Sequence, residues 1–248
     1  MAFAKFKEVL RLVLSLSKAY PYIASLVYTA FFCLFAVLVL DKPVLELAYR
    51  YKDSAFGENV SFLTFFAWPI WWYLLSFGAW IGFMAAAGVS LSTDGLEKNW
   101  QRARSFLFML LAIVLTDTLI ILIKIMVGRY RPEIWIEEGI YGSIPFSFDF
   151  LTSAFPAMTA GTIAAAMTAF WLIYPRYDIF YGLFALLIVF CLVASGEEFL
   201  ADTVFGAYLG IVLPICLNKL YKRRGITVRM RSKRDAQWQQ VESKNDDV

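Results

Sequence analysis

Residues 124–132 read Lys-Ile-Met-Val-Gly-Arg-Tyr-Arg-Pro and close a long apolar run. A lysine that late in such a run is costly unless its ammonium reaches water or a partner. Lys124 and Arg131 are seven residues apart, two helical turns, so a continuing helix places them on one face. Two cations on one face at a membrane boundary suit an anion such as phosphate, with lysine as a point charge and arginine as a planar fork of donors. Each residue taken alone also fits snorkelling toward the headgroups. Carboxylates that bear on the same chemistry are Glu197, Glu198 and Asp202, which lie between two late apolar runs. The chain contains no histidine, the side chain best suited to serve as both base and acid near neutral pH. Cys33, Cys191 and Cys216 sit unclustered inside apolar runs, where thiols behave as small hydrophobes. No ligand cluster for a metal is present in this pattern, and no cofactor is expected.

Lys124, six intervening residues, Arg131 and Pro132 match without a gap the first signature of the type 2 phosphatidic-acid phosphatase family. Asp117, the Gly128-Arg129 pair, and the stretch from Glu138 through Pro145-Phe146-Ser147-Phe148 to Phe155-Pro156 are similar to that family too. The resemblance covers the six-span plan and roughly the region from Asp117 to Gly210.

The other two signatures are degraded. The second is Pro-Ser-Gly-His, and this chain reads Pro156-Ala157-Met158-Thr159-Ala160-Gly161. Either Ala157, Met158 and Thr159 replace Ser, Gly and His, or Ser-Gly-His is deleted; the deletion is the preferred register. The third is Ser-Arg, five residues, His, three residues, Asp. Anchoring on the run Asp202, Gly206 and Gly210 puts Asp202 on the signature aspartate and Glu198 on the nucleophilic histidine. An ungapped match from Ser195 instead puts Asp202 on the histidine and Gly206 on the aspartate. The glycine spacing favours the first register, and neither supplies an arginine or a histidine.

In the family, as the resemblance implies it, the third-signature histidine attacks phosphorus and the second protonates the leaving alcohol. Lysine, two arginines and backbone N–H groups hold the phosphoryl oxygens. General acid catalysis contributes typically about 10²–10⁴-fold, and loss of a nucleophile costs at least as much. The expectation is therefore no catalytic residue, with Glu198, Asp202 and Thr159 as degenerate positions. Lys124 and Arg131 are expected as a phosphate-binding remnant and Glu198 as a candidate internal counter-ion. The chain then reads as a catalytically silent relative that binds a lipid phosphate or serves as an accessory subunit of a membrane complex. The alternative is a lipid-phosphate or polyprenyl-pyrophosphate phosphatase with unusual chemistry. Expected partners are membrane lipids, phosphate-bearing headgroups among them, and a membrane protein, with no nucleic acid.

The elements that must position these residues follow from composition. Of 248 residues, 60% are hydrophobic and only 17% charged, against roughly 25% charged in soluble domains. Such a chain needs lipid as solvent, at about 20 apolar residues per span. The fold class expected is an all-α, polytopic membrane helix bundle with about six transmembrane helices, at 22–40, 66–90, 105–127, 154–174, 179–194 and 199–217. The fifth is short for a full span. Basic residues gather in the N-terminal segment, the second loop and the tail, while Asp41, Glu46, Asp53 and Glu58 in the first loop and the other alternate loops are acidic. This asymmetry predicts cytoplasmic N and C termini and a site on the periplasmic side of a bacterial inner membrane. Three parts are expected: 1–20, an amphipathic helix on the cytoplasmic interface; 21–218, the six-span domain; and 219–248, a basic, flexible cytoplasmic tail.

Overall fold

The computed structural model describes Lys7, Ser15 and residues 17–230. The first long helix, α1 (Pro21–Tyr51), is followed by α2 (Ala55–Gly88) and α3 (Thr93–Val127), all three long and apolar enough to cross a membrane. A short helix, α4 (Pro132–Glu138), leads through an irregular connection to α5 (Met158–Ile173), which is apolar but has only 16 residues. The last two, α6 (Pro175–Ala194) and α7 (Leu200–Arg223), are again long enough to span. Among the described residues there is no β-strand, and the β-type pairing is an isolated antiparallel bridge between Arg129 and Ser143. The protein is a polytopic, all-α membrane bundle.

Lipid is the solvent of the periphery. Phe31, Leu38, Phe62, Ile179 and Leu186 are all more than 60% exposed, which is stable only against hydrocarbon. Around the central helix the packing relies largely on small residues. Helix α5 sits against α3, α6 and α7, and every residue from Ala160 to Ala169 is buried. Where α5 meets α7, backbones touch: a Cβ on Gly206 would collide with the carbonyl oxygen of Ala157, and one on Gly210 with that of Gly161. Dispersion and close backbone approach, rather than a hydrophobic drive, hold helices together in lipid.

Local sequence explains the irregular points. Pro69 begins the longer helical segment of α2 after extended Trp68, and a short 3₁₀ turn at Phe65–Ala67 separates it from Ala55–Thr64. Helix α3 ends at Gly128, which is left-handed at φ 60° and whose N–H donates to the Lys124 carbonyl at 2.8 Å. In α1 a π-helical turn, Ala36–Leu40, interrupts the regular bonding immediately before Asp41. Widened turns of this kind cluster at functional positions.

Several expectations are corrected. The first helix does not end at residue 40 but continues to Tyr51, so Asp41 and Glu46 are helical rather than loop charges. Asp41 is buried, because it has a cationic partner described below. The span that is short is the fourth, not the fifth; it tolerates this because protein rather than lipid surrounds it. Residues 219–223 extend α7 instead of opening a tail. The following strand of chain is fastened: Ser105 Oγ donates to Val228 O at 2.8 Å, Gln101 Nε2 to Arg229 O at 2.9 Å, and Met230 N to Ile173 O at 3.1 Å. The amphipathic helix expected over 1–20 and the tail beyond 230 lie, for the most part, outside the described residues.

The seam between α5 and α7 carries a testable consequence. Gly206→Val is expected to destabilise the protein by about 1–3 kcal/mol or more, since backbone cannot yield as a flexible side chain can. Gly78→Ala, where a Cβ meets nothing within 4 Å, should stay within about 1 kcal/mol of the parent. Thermal unfolding in detergent, followed by tryptophan fluorescence, distinguishes the two.

Candidate functional site

The polar residues gather at one end of the bundle, where α3 stops, α5 begins, and the turn between α6 and α7 crosses over. Arg129, just past the Gly128 cap, points inward and is 6% exposed. Its Nη2 donates to Asp41 Oδ2 at 2.7 Å, and its Nη1 donates to Asp202 Oδ1. The hydroxyl of Tyr141 lies 2.7 Å from Arg129 Nη2 and donates to the carbonyl of Val37, inside the π-turn of α1, at 2.8 Å. The guanidinium also stands 4.3 Å from the ring centroid of Phe199, a desolvated cation–π contact. Asp41 Oδ1 accepts the N–H of Ala201 at 3.0 Å, in the first turn of α7, where the helix dipole favours negative charge. Burial alone would lower the basicity of Arg129, but Asp202 and Asp41 outweigh it and hold the guanidinium charged. Burial raises the Tyr141 phenol to about 12, against the opposing pull of Arg129, so it stays a hydroxyl. One guanidinium serves two carboxylates, and Asp202 Oδ2 is left buried with no hydrogen-bond partner among the described residues.

Beside this cluster lies the Lys124 group. Lys124 Nζ donates to the carbonyl oxygens of Ser153 and, at 3.0 Å, Ala154, the chain just before α5. Arg131 is tied through its backbone N–H to the carbonyl of Leu151 at 3.0 Å. Glu198 lies within reach of both cations' charge: burial pushes its carboxyl up from the ordinary glutamate range, Lys124 and Arg131 pull it back, and neighbouring Glu197 adds to the rise. Thr159, in the first turn of α5, places its hydroxyl 3.4 Å from Glu198 Oε1. Glu197 turns away and accepts the Thr64 hydroxyl at 2.8 Å. Deeper in the bundle, Asp117 is buried and accepts from Tyr73 and Thr162, each at 2.8 Å.

The positions singled out in the sequence therefore reach one end of the bundle. Lys124, Arg131, Glu198 and Thr159 converge, while Asp202 is drawn to Arg129. Sequence reasoning gave Arg129 no role of its own and placed Asp41 in a loop. The available signal was an aspartate at the end of the first apolar run, which requires a partner at membrane depth. No group of three or more His, Cys, Asp or Glu side chains among the described residues is arranged to hold a metal ion.

The segment 105–226, from within α3 to just past α7, matches the model of the PAP2 superfamily. Residues 105–226 form a PAP2 superfamily domain. Curated relatives are similar over most of the chain. The Lipid A 1-phosphatase of Rhizobium etli is 24% identical over 197 residues, covering 79% of this chain and 83% of that protein. The Lipid A 1-phosphatase of Rhizobium johnstonii is 23% identical over 197 residues, covering 79% of each. The fold is similar to the crystal structure of a transmembrane PAP2-type phosphatidylglycerolphosphate phosphatase from Bacillus subtilis. The TM-score there is 0.55 with 17% identity, over 79% of this chain and 96% of the other. The PAP2 domain thus supplies α3, α5, α6, α7 and the residues Lys124, Arg129, Arg131, Thr159, Glu198 and Asp202, whereas Asp41 comes from outside it.

Removing the PAP2 domain's central cation leaves two carboxylates facing each other without compensation. Arg129→Leu is expected to cost about 3–5 kcal/mol, the usual penalty for breaking a buried ion pair from one side. Asp41→Asn should cost less, since an amide oxygen still accepts the Ala201 N–H and Asp202 still neutralises Arg129. Denaturation in detergent measures the order.

Proposed function

We propose that this PAP2 protein is catalytically silent and binds a phosphate-bearing lipid headgroup at the Lys124–Arg131 end of the bundle. The observation that carries the reading is Glu198, a carboxylate set against the two cations in a chain without a single imidazole. Phosphoryl transfer through phosphohistidine needs a neutral nitrogen nucleophile and a proton donor of near-neutral pKa. Glu198 offers an anion approaching an anion, and the Thr159 hydroxyl beside it is no acid. Lys124, Arg129 and Arg131 stand against Glu198, Asp202 and Asp41, so the group closes near neutrality without any ligand. Glu198 acts as an internal counter-ion where a substrate phosphate would otherwise sit.

The relatives named as phosphatases of lipid A support a lipid phosphate as the ligand class. The basic loops support cytoplasmic termini and a site facing the periplasm of a bacterial inner membrane. A protein without turnover that still engages lipid phosphate fits an accessory role in a membrane assembly. Co-purification of a stoichiometric partner from native membrane is the expected outcome there.

Two measurements test the central claim. Purified protein should release no phosphate from phosphatidic acid, undecaprenyl pyrophosphate or lipid A above the level of a Lys124→Ala, Arg131→Ala double variant. Turnover that the double variant abolishes would sink the reading in favour of an enzyme with carboxylate chemistry. Glu198→Gln should tighten binding of phosphatidic acid in nanodiscs, because it frees both cations while keeping shape.

The pH dependence follows with a definite sign. The folded protein holds the Glu198 proton more tightly than the unfolded chain does. Its contribution to stability is therefore largest at low pH and declines as pH rises from the ordinary glutamate range through the raised folded value. Over the same window, acidification neutralises Glu198 and releases Lys124 and Arg131, so phosphatidic-acid binding should strengthen as pH falls from neutrality. Glu198→Gln should flatten both dependences, read by unfolding and by binding across pH.

A further inference from the structure

The connection between α4 and α5 exposes apolar side chains out of keeping with a water-facing loop. Ile144 is 50% exposed, Phe146 72% and Phe148 85%, with Ile140 and Leu151 also above 40%. They do not belong to a loose segment. Ile144 N donates to Gly128 O at 2.7 Å, Tyr130 N to Gly142 O at 3.1 Å, Arg131 N to Leu151 O at 3.0 Å and Ala154 N to Arg129 O at 3.0 Å. Phe146 is held at φ 61°, a left-handed conformation that a phenylalanine adopts only under constraint. The backbone is thus fixed with its aromatic rings outward.

The place of this patch says what covers it. A Cβ on Gly128 would strike the Ile144 carbonyl, so the patch starts directly against the end of α3. The last turns of α3 present Leu122 and Met126, 53% and 59% exposed, on the lipid-facing periphery. Exposed apolar side chains thus lie on both sides of the Gly128–Ile144 contact, on the end of the span and on the connection. The same connection is fastened to both site cations, through Leu151 O to Arg131 and through Ser153 O and Ala154 O to Lys124.

We propose that residues 140–151 are an interfacial anchor. Ile144, Phe146 and Phe148 insert into the leaflet at the Lys124 end of the bundle and hold the two cations at the level of the phospholipid phosphates. The ligand of the site is then a phosphate carried by a lipid of that leaflet rather than one arriving from water. This last clause rests on the binding reading above; the insertion does not. Aromatic side chains are favoured at that depth, and an apolar patch left in water is a liability that a rigid loop cannot hide.

Full-length protein in phosphatidylglycerol–phosphatidylcholine nanodiscs tests both parts. Phe148→Cys, in a Cys216→Ala background because Cys33 and Cys191 are buried, takes a nitroxide label. Its collisions with oxygen and with a water-soluble nickel chelate report depth, with Leu122→Cys as the lipid reference and Asp53→Cys as the aqueous one. The label at 148 should side with Leu122. If it sides with Asp53, the anchor is refuted whatever the site binds. In the second arm, Phe146→Ser, Phe148→Ser should weaken binding of bilayer-embedded phosphatidic acid by about tenfold, given the apolar area withdrawn. Binding of inorganic phosphate should be unchanged. Equal loss of both would show that the rings merely support the site, and overturns the lipid-source claim. Failure of the parent protein to bind phosphatidic acid at all, with the label still in lipid, would count against the binding reading alone.

Discussion

A guanidinium held between two aspartates at the edge of a membrane is the constraint on which the upper half of this protein depends. Arg129 belongs to the chain just past α3, Asp41 to α1 and Asp202 to α7, so three elements distant in sequence are fixed by one side chain. The pair geometry also explains local choices. The π-turn of α1 supplies a carbonyl at Val37 for Tyr141 and is followed at once by Asp41, and α7 begins where the Ala201 N–H can reach that carboxylate. A charge taken this far from water is costly, and the two carboxylates on Arg129 make it tolerable.

Around that lock, the neighbouring group is organised by electrical balance. Lys124 uses its donors on the carbonyls of Ser153 and Ala154, and the charges of Lys124 and Arg131 both bear on the buried Glu198. PAP2 membership and the likeness to lipid phosphatases establish the scaffold. The reaction, by contrast, depends on groups that the scaffold merely presents, and function resides in such grafted sites rather than in folds.

The helical bundle was legible in the sequence because hydrophobic runs have a length fixed by the bilayer, and Lys124, Arg131 and Glu198 could be singled out as candidates because they stand at the positions of the family's signatures. Arg129 was not, since an arginine at a helix end looks like any snorkelling residue until its partners are known. Those partners sit 88 and 73 residues away, a separation no local pattern encodes. Asp41 misled for a related reason: the end of an apolar run reads as the start of a loop, yet the helix continues because the charge is paired. At the fourth span the error ran the other way. The apolar stretch at 154–174 begins with an extended segment bonded to Arg129 and Lys124, leaving only Met158–Ile173 for helix.

That brevity has to be made up. Sixteen residues rise about 24 Å, while the hydrocarbon slab is about 30 Å thick. Because its neighbours are long and fence it from lipid, α5 need not match the slab, and the non-helical chain of residues 153–157 makes up the remaining length inside the protein. The chain entering α5 is tied to α7 and to the turn before it, through Ala157 N to Asp202 O and Thr159 beside Glu198. Irregular backbone is thereby kept where protein, not hydrocarbon, answers its polar groups, the one setting in which a bilayer tolerates it.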